Sequence, residues 1–282
     1  MNRKIKISVG VPVFNGEKTI RNALNSLTSQ TFKDFEIIIS DNASTDKTQE
    51  ICKSFASNDS RIRYIRQPKN LGITRNFKIV LDEARGDFFT WAACDDVRSE
   101  DFLKLNYEFL IKHPNYVAST SPDSFSSGPL KNLERNKFSL KGNLTNRFLY
   151  FFKVCWRSHG IFCALIRANI IKKCDVVGKD SFLGQDWAII LFVLKNGKIN
   201  RVNKGFILFG PNGISSKPDY LKKQGIRHSF IEKIVPFYKL FQYVMTIDFK
   251  INLYKLLYVF FRINSKVHFS NIVYYLRKFK KF

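Results

Sequence analysis

Asp95 and Asp96 follow directly on an apolar run, Phe88-Phe89-Thr90-Trp91-Ala92-Ala93-Cys94. Two adjacent carboxylates at the tip of what reads as a buried strand are costly unless a cation or hydrogen-bond donors meet them. A hard divalent cation, Mg²⁺ or Mn²⁺, suits the pair, because it takes oxygen ligands and is often shared with substrate phosphates. Capping does not account for these residues. The helix that follows has its own N-cap candidate in Ser99, with Glu100 and Asp101 in the first turn, where the helix dipole favours them. Three further positions could carry chemistry. Asp41 ends a second apolar strand, Phe35 to Ser40, and Asp186 opens an apolar helix after Gly184-Gln185. His159-Gly160 precedes a strand-like run, Ile161 to Ile166. A carboxylate of ordinary pKa, near ~4, is ionised at neutral pH and suits a general base. A lone histidine could be a second base or a metal ligand, but serves structure more often.

The elements that must position these groups alternate. Ile5 to Val13 is a β-branched strand ending in the turn Pro12-Val13-Phe14-Asn15-Gly16-Glu17. A helix follows, with Ile20, Ala23, Leu24 and Leu27 at helical spacing. The strand Phe35–Ser40 leads into Asp41-Asn42-Ala43-Ser44-Thr45-Asp46, where Thr45 or Asp46 can cap the next helix, Asp46 with Gln49 at the capping-box position. A short strand, Arg61 to Arg66, and the turn Asn70-Leu71-Gly72 precede a helix over 74–83, and Gly86 leads into the strand that reaches Asp95. Strand–helix alternation over residues 5–96 predicts an α/β fold with a parallel sheet and right-handed crossovers. Ligands of such sheets bind beyond the carboxyl ends of the strands. The first turn has no GxGxxG and the chain no P-loop lysine motif, so the site uses neither glycine-rich cradle.

Four stretches in order resemble family 2 glycosyltransferases: Val9-Gly10-Val11-Pro12-Val13-Phe14-Asn15-Gly16-Glu17; Ser29-Gln30-Thr31-Phe32-Lys33-Asp34-Phe35 through Ser40-Asp41-Asn42-Ala43-Ser44-Thr45-Asp46; Asn70-Leu71-Gly72; and Gly86-Asp87-Phe88 running into Asp95-Asp96. They cover about a third of the chain. The resemblance implies the GT-A fold, a Rossmann-like, mostly parallel central sheet flanked by helices. It also implies an inverting, nucleotide-sugar-dependent transferase of the bacterial polysaccharide-biosynthesis type. By that likeness Pro12, Val13, Asn15, Glu17, Asn70 and Asp95 belong to the nucleotide side, and Asp41 accepts a hydrogen bond from the base, as a carboxylate can. Asp95 matches the last aspartate of the family's metal-binding DxD, with Asp96 beside it as a second ligand to Mn²⁺ or Mg²⁺. Ala93 stands where the first DxD aspartate falls, so the usual ribose contact has no counterpart. Asp186 matches the family's catalytic base, with Gln185 in place of the common Glu, and His159, Gly160, Gln185 and Trp187 fall on the acceptor side. Relatives often place a basic residue and a His in the turn that corresponds to Gly205–Ser216; neither is present here, and the turn's backbone amides or Lys217 are the substitutes.

Three units are expected: a nucleotide-sugar half over 1–97, an acceptor half over 98–216, and a basic aromatic tail over 217–282. In the acceptor half a helix spans Glu100 to Lys112, and the polar stretch Ser119–Gly142 reads as a loop over the site or a plain surface excursion. The tail holds 14 Lys and Arg against 3 Asp and Glu. Ile231, Ile234, Val235, Tyr238, Phe241 and Met245 recur at helical spacing there, as do Leu253, Leu256, Leu257, Phe260 and Phe261. Such helices suit an anionic membrane surface, and equally could pack on the catalytic domain. A glycan or lipid-linked acceptor would join tail and site.

The 282 residues carry a net charge of +24, with 28 Phe and 11 Tyr, which calls for an anionic partner. No nucleic-acid readout motif is visible, so no specific nucleic-acid partner is expected. Cysteines 52, 94, 155, 163 and 174 form no CxxC pair and read as reduced thiols. The N-terminus lacks an apolar h-region, and the apolar run Leu256–Phe261 is too short to span a bilayer. A cytoplasmic chain, peripheral on the inner face of the cell membrane, is the expectation. Two rivals remain: a nucleotidyltransferase, which would want a basic phosphate loop where Phe14-Asn15-Gly16-Glu17 is acidic, and a non-catalytic sugar-nucleotide-binding protein on the same fold.

Overall fold

Strands β1 (Ile7–Val13), β2 (Phe35–Asp41), β3 (Ile62–Arg66) and β4 (Phe88–Trp91) alternate with helices α1 (Ile20–Thr28), α2 (Thr48–Asn58) and α3 (Ile73–Asp82), as the periodicity predicts. The computed structural model describes residues 5–126, 140–154, 159–179, 181–210, 230–247 and 253–279. Residues 127–139 of the expected loop, Cys155, the turn beyond Gly210 with Lys217, and Lys280-Lys281-Phe282 lie outside them. Beyond β4 come β5 (Val97–Arg98), α4 (Phe102–Lys112), β6 (Tyr116–Thr120), β7 (Asp123–Phe125), α5 (Leu144–Val154), α6 (His159–Phe162), β8 (Leu165–Arg167), α7 (Ala168–Ile171), α8 (Gln185–Asn196), β9 (Lys198–Arg201) and β10 (Ile207–Phe209). Three helices follow, α9 (Phe230–Ile234), α10 (Tyr238–Thr246) and α11 (Leu253–Phe279).

Seven strands form the main sheet in the order β3-β2-β1-β4-β8-β6-β9, and β5-β10-β7 form a small second sheet. β1 pairs in parallel with β2 and β4, and β2 with β3. The chain thus moves outward from β1 to β3 and returns to β4 on the other side of β1, which creates a switch point at the carboxyl ends of β1 and β4. β8 runs antiparallel to both β4 and β6, and β6 is parallel to β9. The sheet is therefore mixed, with one reversed strand, and β6 and β9 point the same way as β4.

Alternation of side chains splits the core in two. Ile37 and Ile39 of β2 face one cluster with Val9, Val11 and Leu24, while Ile38 faces the other with Val80, Phe89 and Trp91. The second cluster is the larger. It takes in Phe148, Phe151 and Phe152 of α5, the apolar α8, and the buried stripe of α10 and α11. Two boundaries differ from the sequence reading. Ser99 does not cap α4; its hydroxyl accepts the backbone N–H of Phe206 at 2.9 Å, tying β10 to the start of that helix. Residues 161–166 are not one strand, because α6 takes the first two and β8 begins only at Leu165. Cys52, Cys94, Cys163 and Cys174 are free thiols. Among the described residues no helix is long and apolar enough to cross a membrane.

Helix α3 lies so close to β1 that a Cβ at Gly10 would come within 2.7 Å of the Val80 side chain and 2.8 Å of Phe89. Gly10→Ala should therefore overpack this contact and cost about 1–3 kcal/mol in urea unfolding; a neutral result would show that α3 can retreat.

Candidate functional site

Strand β1 ends in an exposed rim, Phe14 and Asn15, while Pro12 and Val13 are buried in the strand itself. The Val13 side chain lies in the core, and Pro12 is buried beside it in the strand. The β1–α1 and β2–α2 turns are stitched together. Asn15 donates its N–H to Ser44 Oγ (2.9 Å) and accepts that of Thr45 on Oδ1 (2.9 Å). Gly16 N–H reaches Thr48 Oγ1, Glu17 N–H reaches Asp46 Oδ2, and Lys47 N–H returns to Glu17 Oε2. Asp46 Oδ1 also accepts the Thr48 N–H at 3.0 Å, satisfying a free donor at the start of α2. Asn15 and Glu17 thus hold two turns in register, and Asn15 adopts positive φ (50°) to do so.

Asp41 is wholly buried at the end of β2. Its Oδ1 accepts the Ser44 N–H (2.8 Å), and its Oδ2 accepts the Tyr64 hydroxyl (2.7 Å) and Arg66 Nη1 (2.7 Å). The carboxylate is already well supplied with donors, and Arg66 is the partly exposed partner. Tyr64 is held well above the usual phenol range by burial and by the Asp41 carboxylate. Asn70 accepts Asn42 Nδ2 (2.9 Å) and the Gly72 N–H (2.9 Å) and so shapes its turn. Asn76 of α3, which the sequence reading missed, clamps the strand ends. Its Nδ2 donates to the carbonyls of Ser40 (3.0 Å) and Val13 (3.3 Å).

Across the switch point sit Asp95 and Asp96. Asp96 is 6% exposed, and its Oδ1 accepts the Gly210 N–H at 3.3 Å. Burial, and then the neighbouring Asp95 charge, push its carboxyl up to about 7, with Arg98 acting in the opposite sense. Burial also raises Asp95. A Cβ at Gly210 would collide with the Asp95 carboxylate, so the backbone after β10 closes directly over the pair. Arg98, also missed, is buried behind them. It donates to Thr90 Oγ1 (3.1 Å) and to the carbonyls of Trp91 and Cys163, and stacks over Phe102. Cys94 lies against Gly16, and burial pushes its thiol up to about 12.

Two adjacent carboxylates, both raised by burial and Asp96 also by the Asp95 charge, fit a hard cation, which keeps water ligands and shares phosphate oxygens rather than requiring a full protein cage. Among the described residues no group of three His, Cys, Asp or Glu side chains forms such a cage. Asp95 and Asp96 are the residues that would hold a divalent ion.

On the other side of the sheet's tip stands Asp186. Gly184, in the left-handed region at φ 84°, turns the chain into α8, and Asp186 lies in its first turn. Only Gly197 separates α8 from β9, so the helix must run back along that strand. β9 points the same way as β4, so the N-terminus of α8 comes to the edge where β1, β2 and β4 end. Asp186 and the Asp95–Asp96 pair therefore share one edge. Asp186 is exposed at the surface, with protein packed closely around it. Desolvation by that surrounding protein pushes its carboxyl up to about 6, against the Trp187 N–H. Gln185 donates to the carbonyls of Val176 (3.0 Å) and Lys179 (3.3 Å), bracing the turn. Trp187, expected on the acceptor side, is a core residue. It is 8% exposed, stacks on Phe237 at 5.0 Å and meets Phe151 edge-on, because α8 is covered on nearly all sides.

Gly160 lies in α6; its carbonyl accepts Thr120 Oγ1 (2.9 Å), and a Cβ there would press on the Asp123 carboxylate at 3.2 Å. The His159 side chain falls outside the described residues. Asp123, buried and 3.0 Å from Arg201 Nη2, escaped the sequence reading because Ser-Pro-Asp-Ser looked like loop. Burial, and then the charges of Asp96, Asp123 and Asp95, raise the Cys163 thiol, with Arg98 acting in the opposite sense.

The profile described as glycosyl transferase family 2 matches residues 8–174, more than half of the chain. Among curated relatives, glycosyltransferase GlyA of Streptococcus pneumoniae is 35% identical over 121 residues, 43% of this chain and 17% of its own length. Abequosyltransferase RfbV of Salmonella typhimurium is 37% identical over 201 residues, 67% of this chain and 60% of its own. The chain thus spans less than two thirds of either relative. Staphylococcus aureus TarS 1–349 in complex with UDP-GlcNAc superposes with a TM-score of 0.66 at 20% identity, covering 87% of this chain and 68% of that one. A mannosyltransferase from Pyrobaculum calidifontis, in complex with GDP-Man and Mn²⁺, gives 0.58 at 13% identity, over 92% and 70%. These neighbours establish the GT-A architecture.

The carboxylate pair has a thermodynamic signature. Folded Asp96 keeps its proton to about pH 7, whereas the unfolded carboxyl releases it near 3.8. The folded state then binds more protons across that window, so this group's contribution to stability falls as pH rises through it and is level above. Asp95→Asn removes the charge that helps to raise Asp96 and should make that decline shallower in urea unfolding at about pH 4, 6 and 8. An unchanged slope would separate the two carboxylates.

Proposed function

The chain belongs to glycosyl transferase family 2, and from that premise we propose an inverting enzyme that moves a sugar from a nucleoside diphosphate sugar to a hydroxyl of a glycan or lipid-linked acceptor. The observation that carries the reading is the shared edge: a paired carboxylate site after β4 and a lone aspartate at the N-terminus of α8, both where the parallel strands end. Residues 1–97 form the donor side in this proposal, 98–216 the acceptor side, and 217–282 an accessory tail. A cytoplasmic protein working in polysaccharide assembly fits it.

The nucleoside lies over the stitched turns, with Phe14 and Asn15 at the rim and Asp41 below. For Asp41 to take a base N–H, Arg66 or Tyr64 has to yield one of its contacts. Asp95 and Asp96 hold a divalent ion, Mn²⁺ or Mg²⁺, beside the diphosphate. That ion, when bound, stabilises the charge that gathers on the leaving diphosphate. Asp186 accepts the proton of the acceptor hydroxyl as its oxygen attacks the anomeric carbon from the face opposite the diphosphate, and this inverts the centre. A raised pKa makes Asp186 a stronger base than an ordinary carboxylate while leaving it mostly ionised at neutral pH.

Screening UDP-, GDP- and dTDP-sugars for thermal stabilisation, with and without Mn²⁺, identifies the donor. With that donor, Asp186→Asn should lower transfer by about 10²-fold or more while the donor-induced stabilisation persists. The wild-type kcat/KM should fall below about pH 6, where Asp186 takes up its proton. Normal turnover by the Asn variant would remove Asp186 from the role.

A further inference from the structure

We infer that the outward face of α11, together with α9, docks on an anionic phospholipid bilayer. Around its axis α11 divides into three sectors. Leu256, Val259, Phe260 and Ile263 are buried against the domain. Beside them run the cations Lys255, Arg262 and Lys266. The remaining sector carries Leu253, Leu257, Tyr258, Phe261 and Phe269, with Phe261 73% and Phe269 69% exposed. A helix that only packs on its own domain has a polar outer face; this one has a second apolar stripe. His268, in that same outer sector, has Nε2 2.8 Å from the Ile234 carbonyl, which brings α9, with its exposed Phe230, Ile231 and Ile234, alongside α11.

Charge selects the occupant. The 27 residues of α11 contain no Asp or Glu. Between α5 and α11 a groove of about 430 Å³ is lined by Lys153, Lys255 and Arg262 with Tyr254 and Tyr258. Three cations and no carboxylate beside an apolar stripe fit lipid phosphates next to acyl chains. Nucleic acid would use the cations and leave the stripe uncovered. A second copy would set one strongly basic surface against another. With no helix able to cross a membrane among the described residues, α11 lies in the plane of the interface, about 40 Å long. Asn264 of α11 accepts the Phe237 N–H (2.9 Å) on Oδ1, and Phe237 stacks on Trp187, the residue after Asp186. The docked helix thus braces the acceptor side of the cleft, so an acceptor held in the bilayer would reach it; this last clause rests on the function proposed above.

The test is co-sedimentation of the full chain with phosphatidylcholine vesicles, with and without about 30% phosphatidylglycerol. Binding should need the anionic lipid, weaken about tenfold or more between low and high salt, and drop about tenfold or more in Leu257→Glu/Phe261→Glu. The thermal midpoint and donor hydrolysis of that variant should match the wild type. Binding that ignores lipid charge, no binding at all, or an unaffected variant would overturn the proposal. So would a dimer, or capture of single-stranded DNA, abolished by the same two substitutions in a chain that ignores vesicles. Loss of donor hydrolysis in wild type with vesicle binding intact would sink the reaction alone, and the reverse result the docking alone.

Discussion

Placing two charged groups side by side, one of them nearly out of water, is the constraint on which the rest of the structure turns. Asp95 and Asp96 can occupy successive positions after β4 only because several things around them are arranged for it. The backbone at Gly210 has no side chain to collide with Asp95 and offers an N–H to Asp96. Arg98, two residues on, supplies positive charge from inside the fold, its Nη1 and Nη2 donating to Thr90 and two backbone carbonyls while Nε is buried without a partner. Even so, Asp96 is far easier to protonate than an ordinary aspartate. The small second sheet, in which β10 pairs with β5 and β7, carries the backbone at Gly210 against the pair.

The two flanks of this centre are rigid for different reasons. On the β1–β2 flank, polar turns bind each other, so their side chains are consumed in mutual hydrogen bonds and the rim keeps one shape. On the α8 flank, hydrogen bonding matters less than burial. α8 is apolar around almost its whole circumference and is wedged among β6, α5 and α10, with Trp187 stacked on Phe237. That packing leaves Asp186 as the first-turn residue that faces water.

The C-terminal helices pack on the domain along one face only. Leu240, Val244, Leu256, Phe260 and Ile263 extend the larger core, while residues a third of a turn or more away on α11 stay exposed. The two stripes read from spacing do not map one to one onto the buried and exposed faces. Leu256 is buried and Leu257, its neighbour, is not.

Much of the strand–helix alternation from β1 to β4 was legible in the chain itself. Apolar runs ending in Asp41 and Asp95 can form only buried strands with their polar ends at one edge, because an unpaired carboxylate cannot lie in mid-sheet. Helix boundaries were less secure: Ser99 has the residue type of a cap, yet its hydroxyl answers Phe206, 107 residues away. Trp187 could not be told from a ligand contact, since an aromatic beside a reactive group reads the same whether it faces core or cleft. Asp123 and Asn76 gave no signal because each is defined by partners distant in sequence, and Arg98 because its contacts with Thr90, Trp91 and Cys163 depend on the fold around β4. What the sequence determined was local: strand and helix type, the carboxylates at their tips, the charge of the tail. The reversal of β8, which makes β6 and β9 parallel to β4 and so brings Asp186 to the same edge as Asp95, was decided only by the tertiary fold, because strand order depends on which faces must be covered and not on the pattern within any one strand.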